Sequence, residues 1–129
     1  MTDYEHRIFL LTNKERRKHG LAGLIWDDAL ANAARVHSMD LAVSNTFSHT
    51  GSDGSAPEQR LHKARDTIRF LGENISVGRS SPEAAIADWM ASPGHRENIQ
   101  NMDAVYLGVG AVYMEASRYK IYVTQVFGR

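Results

Sequence analysis

The sequence predicts an α+β fold in which helices pack against an antiparallel sheet. Three observations lead there. Apolar residues recur at helical spacing through most of the chain. Strict alternation replaces that spacing in the last third. The two patterns do not interleave in the helix-strand-helix rhythm that a parallel sheet requires.

Each element has its own signal. Asp3 can cap a first helix that runs to Lys18-His19 and stops at Gly20, with Tyr4, Ile8 and Leu11 turned inward. Asp27 or Asp28 opens a second helix, on which Leu30, Ala33, Ala34, His37 and Leu41 form one apolar stripe. Its alanines permit close approach of another layer. Thr50 to Pro57 is dense in turn formers and reads as an ordered loop, which leaves residues 1–129 as a single domain. Ser55 and Pro57 open a short third helix through Ala64. Proline suits a first helical position because its missing N–H had no partner to lose. Phe70 to Val77 offers a short strand.

Ser80 to Glu83 has the Ser-x-x-Glu form of a capping box, with Pro82 inside it. The helix it starts buries Ile86, Trp89 and Met90. Ser92-Pro93-Gly94 interrupts it, and His95 to Gln100 adds one further turn. Val105, Leu107, Val109, Ala111 and Tyr113 then alternate, as do Tyr119, Ile121, Val123, Gln125 and Phe127. With Glu115 to Arg118 between them, they read as an antiparallel hairpin.

Composition narrows the function classes. Of 129 residues, 43% are hydrophobic and 23% charged, ordinary values for a globular chain. Fifteen Lys and Arg balance fifteen Asp and Glu, so no basic excess exists to neutralise phosphates and nucleic acid is not an expected partner. Zero cysteines exclude disulfides, thiolate metal sites and thiol catalysis together. No apolar run approaches the ~20 residues that span a bilayer, so no transmembrane segment is expected. Met1 to Arg7 is polar and carries no export-signal pattern, as would a chain from which such a signal had been trimmed.

The common nucleotide and hydrolase motifs fail. Gly108-Val109-Gly110 lies inside a strand and lacks a third glycine; no Gly-x-Ser-x-Gly elbow and no His-Glu-x-x-His occur. What remains is three polar clusters at element ends: Phe47-Ser48-His49-Thr50, Gly72-Glu73-Asn74-Ile75, and Ser92 to Ile99 around His95. Histidine and glutamate are common zinc ligands and the usual acid–base pair. Spacing alone does not bring them together, since forty-six positions separate His49 from His95. Each also has a structural reading. His49 can cap a helix end, His95 can be a neutral structural imidazole, and Glu73 can be satisfied by backbone amides. His37, on the apolar stripe, reads as a core histidine with one satisfied nitrogen. His6, His19 and His62 read as surface residues. Asn74, Asn98 and Gln125 read as buried amides that tie loops to the sheet. Trp26 and Trp89 read as core. Nothing orients Ser92 as a nucleophile.

Taken in order, these pieces resemble the CAP superfamily of cysteine-rich secretory, antigen and pathogenesis-related proteins, and in particular its bacterial SCP-like extracellular branch. The segments that carry the resemblance are Leu11 to Arg17, Leu24 to Ala31, Phe47-Ser48-His49, Gly72-Glu73-Asn74-Ile75, Trp89 to Ile99, Leu107 to Gly110 and Thr124 to Gly128. The resemblance implies an α-β-α sandwich with a central antiparallel sheet flanked by helices. It implies a cleft lined by His49, Glu73 and His95, in which the histidines, with Glu73, can hold a divalent metal such as zinc. The sequence departs at Ser92, where the family usually places a second acidic residue. Ser92, Asn74, Asn98 and Gln125 are expected to support the cleft.

The function implied is a secreted or cell-surface domain whose cleft binds a protein, peptide or small-molecule ligand, or a metal. Two alternatives follow from the same residues and family. One is a metal- or His/Glu-dependent hydrolase of peptidase type, with His49, Glu73 and His95 as catalytic candidates. The other is a lipid- or sterol-binding protein.

Overall fold

The computed structural model describes residues 1–129. Five helices and four strands follow in the order α1 (Asp3–Lys18), β1 (Ile25–Trp26), α2 (Asp28–Ser44), α3 (Pro57–Ala64), β2 (Phe70–Val77), α4 (Pro82–Ala91), α5 (Pro93–Ile99), β3 (Tyr106–Tyr113) and β4 (Ile121–Gly128). The strands form one sheet in the order β1-β3-β4-β2. Both β2 and β3 pair antiparallel to β4, whereas β1 joins β3 in parallel through two residues. The α+β sandwich expected from the sequence is what forms, with this short parallel edge added.

Helices cover both faces. On one side α1, α4 and α5 close over Leu107, Val109, Val123 and Phe127, and Ile8, Trp89 and Ile99 complete that core. On the other side α2 and α3 cover the sheet through Leu30, Ala34, Leu61 and Val126, with Leu41, Ala42, Ile75 and Tyr122 beside them. The glycines of Gly108-Val109-Gly110 explain how closely α2 lies. A Cβ at Gly108 would come within 2.3 Å of Ala31 N, and one at Gly110 within 2.1 Å of Arg35 N. This Gly-x-Gly is a packing seat for a helix backbone.

Local details correct several boundaries. Thr2, not Asp3, caps α1: its Oγ1 accepts from Glu5 N, while Glu5 Oε1 accepts from Thr2 N. Asp27 caps α2 through Leu30 N. Ser81, not Ser80, caps α4, because Glu83 turns outward to Arg7. α5 begins at Pro93, earlier than the turn expected from His95, and Ser92 serves both as the last cap of α4 and the first of α5. Trp26 is half-buried rather than core; it meets Phe9 edge-on and its indole N–H donates to Asp28.

Candidate functional site

The site grows from two consecutive residues of β2. Successive side chains of a strand point to opposite faces. Glu73 faces the α2–α3 side and Asn74 faces α1 and α5. β2 is an edge strand, so both side chains meet loops as well as helices.

Glu73 is almost fully buried, and both carboxylate oxygens are engaged. Oε1 accepts from His49 Nδ1 at 2.8 Å, and Oε2 accepts from Arg60 Nη2 at 2.9 Å. A carboxylate only accepts, so Nδ1 of His49 carries a proton, and in the neutral ring the lone pair lies on Nε2. The His49 side chain is 54% exposed, and its Nε2 has no protein partner. Arg60, at the inner side of α3, is otherwise spent on backbone: Nη2 also donates to His49 O and Nη1 to Ser55 O. It ties the loop after α2 to the carboxylate that orients the imidazole.

His37 stands behind this pair. Its Nε2 donates to Ser48 O at 2.9 Å and lies 4.0 Å from Glu73 Oε1. Burial pushes its pKa below the ordinary histidine value, with the Glu73 charge opposing that effect and the Arg60 charge adding to it. The ring is therefore neutral at pH 7, with Nε2 protonated. Its buried Nδ1 has no partner. This is the core histidine with one satisfied nitrogen that the apolar stripe suggested.

Asn74 organises the opposite side. Its Nδ2 donates to Gln125 Oε1 at 2.9 Å and to His95 O at 3.1 Å. Asn98 Nδ2 donates to Asn74 Oδ1 and Glu73 O, and Gln125 Nε2 donates to Thr12 Oγ1. Gly72 makes room for this, since a Cβ there would fall 2.4 Å from Asn98 Oδ1. The amides thus pin the first turn of α5, and His95 with it, to β2. The half-buried His95 ring makes no hydrogen bond to protein. Its pKa lies below the usual value, chiefly through burial and then through the charge of His49. Ser92 lies three positions before His95 and its side chain makes no capping bond.

Sequence reasoning missed Arg60. A buried carboxylate demands a donor or a cation, and Arg60 sits next to Leu61, the buried residue of the third helix. That demand was the available signal. The set of donors also decides how a metal could be held. Glu73 has no free oxygen, and no group of three or more His, Asp and Glu side chains is arranged as an ion cage. A closed four-ligand zinc site does not fit these residues. What the geometry leaves free is the Nε2 of His49 and the ring of His95.

Residues 9–127 match the CAP family, described as the cysteine-rich secretory protein family. The chain belongs to that family. It is 36% identical over 98% of its length to the uncharacterized protein YkwD of Bacillus subtilis, covering 48% of that protein. An extracellular SCP-domain protein of Bacillus anthracis has a TM-score of 0.82 at 34% identity, covering 98% of this chain and 40% of that one. An outer surface protein of Borrelia burgdorferi has a TM-score of 0.88 at 24% identity and covers 99% of this chain and 96% of that one, which shows the shared fold. The chain thus spans about half or less of these Bacillus proteins and nearly all of the Borrelia one. No helix of this CAP domain is long and apolar enough to cross a membrane.

Proposed function

We propose that this CAP domain works at the cell exterior as a binding module, using the cleft between His49 and His95 to hold a ligand or partner without covalent chemistry. One observation carries the reading. Glu73 holds His49 by Nδ1 and leaves its Nε2 without a protein partner, and the half-buried His95 ring, held on the same edge strand through Asn74, makes no protein hydrogen bond. A carboxylate that orients one imidazole nitrogen raises the basicity of the other. Two rings without protein partners at these nitrogens can bind a polar ligand group, or an exchangeable divalent ion that completes its shell with water or ligand atoms. The exterior location is supported by the names of the Borrelia and Bacillus anthracis relatives.

Zinc chloride is a direct probe of the two rings. Added to the protein at pH 7.5, it should shift the His49 and His95 imidazole resonances together, with one equivalent sufficing, and His49→Ala or His95→Ala should each remove the effect. Shifts confined to His19 and His62 would refute a shared cleft. Fractionation of cells carrying the natural gene product tests the location.

A second reading draws on the same hydrogen bond. An imidazole held by a carboxylate at Nδ1 and open at Nε2 is the arrangement of a general base, with Glu73 stabilising the imidazolium after proton transfer. No side-chain hydroxyl is hydrogen-bonded to the His49 ring, whose one side-chain partner is Glu73. Water would be the nucleophile. Turnover of a peptide or ester library that vanishes in His49→Ala would favour hydrolysis over binding alone.

A further inference from the structure

Behind the His49–Glu73 pair, between α2 and α3, runs a separate groove of about 710 Å³. That lies within the ~300–1,000 Å³ range of ligand sites. α3 is antiparallel to α2 here: the loop before it bonds to Asp40 through Ser52, Leu61 packs on Leu30, and Arg65 pairs with Asp27. From Ala29 to Asp40 the α2 wall rises roughly 16 Å at 1.5 Å per residue. An extended chain of about five residues covers that length.

The wall and the two ends differ in chemistry. Ala29, Ala33, Val36 and Ala64 line an apolar middle. At one end stand two carboxylates. Asp40 and Asp53 are met by the neutral donors Ser52 and Ser55, and neither forms an ion pair, although the Arg60 charge reaches Asp53. Arg60, which also lines the groove, is spent on Glu73 and two carbonyls. In the wall beside Asp40 lies His37, 1% exposed, with its unpartnered Nδ1 lone pair. Two carboxylates outside any ion pair at one end of an apolar groove suit an ammonium group. Near the opposite end Lys63 is paired with no carboxylate. The groove is therefore dipolar, with an apolar floor between poles of opposite sign.

We propose that this groove binds a short extended peptide segment, its amino-terminal ammonium at Asp40 and Asp53, its small apolar side chains over Ala33 and Val36, and its carboxylate toward Lys63. This binding is independent of the imidazole cleft. It adds a second recognition surface, one that reaches the back of Glu73 through Arg60 and His37.

The probe is the pentapeptide Ala-Val-Ala-Val-Ala with free termini, titrated into isotope-labelled protein and followed by amide shifts. Shifts should cluster along α2 from Ala29 to Asp40, at Ser52 to Ser55 and on α3. Acetylating the peptide amine should weaken binding roughly twofold to fivefold, the range of exposed ion pairs, and Asp53→Asn or Lys63→Ala should each do the same. Val36→Trp should abolish binding while the spectrum stays dispersed; Val36 is 67% exposed, so the larger ring fills the groove and not the core. Absence of shifts up to the peptide's solubility limit would overturn the proposal. So would equal affinity of the acetylated peptide, indifference to Asp53→Asn, or shifts centred on His49 and His95. Tighter binding of dodecanoate, dependent on Lys63 but not on Asp53, would assign the groove to carboxylate amphiphiles instead.

Discussion

Replacing Glu73 by glutamine changes one atom and tests the whole arrangement. The carboxylate accepts from His49 Nδ1 on one oxygen and from Arg60 Nη2 on the other. An amide keeps only one acceptor. If its oxygen stays on Arg60, the new NH₂ faces His49 Nδ1, which must lose its proton and accept. In the neutral ring the proton then moves to Nε2. If the amide turns over, two donors confront each other at Arg60. In both cases a guanidinium whose side chain is 13% exposed loses its charged partner. Hydrogen bonds to charged groups contribute about 1.5–3 kcal/mol, and roughly 2 kcal/mol is expected here. For a domain of this size that lowers the melting temperature by roughly 5–10 °C. Thermal unfolding followed by circular dichroism measures the loss, and imidazole nitrogen shifts measure the tautomer. A melting temperature within about 1 °C of the parent, with the Nδ1–H form of His49 retained, would refute the reasoning, since exposed pairs are the ones that cost so little.

Three further outcomes follow from the same contacts. Gly110→Ala places a methyl about where Arg35 N already sits, so α2 must lift from the sheet; a loss of about 3 kcal/mol is expected in a denaturant melt, against about 1 kcal/mol for Gly54→Ala, which has φ of +85° but open space around it. Glu5 is fully buried, and although burial opposes its ionisation, hydrogen bonds from Arg35, Thr2 N and Ala111 N hold its pKa below the ordinary carboxylate value. The stability it adds is complete above that ordinary value and is lost as pH falls through the depressed one, so Glu5→Gln should flatten the melting temperature against pH below about pH 4.5. The pKa of His95 is held down by burial and then by His49; removing the second cause with His49→Ala should raise it toward the usual value in a proton titration, and an unchanged midpoint would place the two rings apart.

Much of the fold was legible because it rests on local chemistry. The alternation from Val105 to Tyr113 and from Tyr119 to Phe127 becomes the β3–β4 hairpin, and Pro57 and Pro82 open the helices they were expected to open. The illegible parts depend on tertiary contacts. β1 is two residues long and exists because Ile25 N and Asp27 N donate to Val105 O and Leu107 O, a pairing with no periodic trace. The face of α1 was only half read. Ile8 was visible, but Glu5, Thr12, Asn13 and Arg16 are buried too, each satisfied by backbone or side-chain atoms far along the chain. Polar residues on a helix suggest solvent until their partners are known.

The candidate site divides along the same line. Its residue types were visible, but its wiring depends on the register of one strand. Phe70 pairs with Gly128 and Gly72 with Phe127, so Leu71 is an extra residue that bulges before the site. That bulge sets the register in which Glu73 opposes Val126 and Asn74 opposes Gln125. A single residue of slip would send the carboxylate to the α1 side and the amide to the α3 side. Glu73 would then leave His49 and Arg60, and Asn74 would release the His95 carbonyl. Two consecutive residues thus hold the His49 imidazole and the His95 backbone from opposite faces of one strand, and the relation between His49 and His95 depends on backbone geometry that neither histidine's sequence neighbourhood encodes.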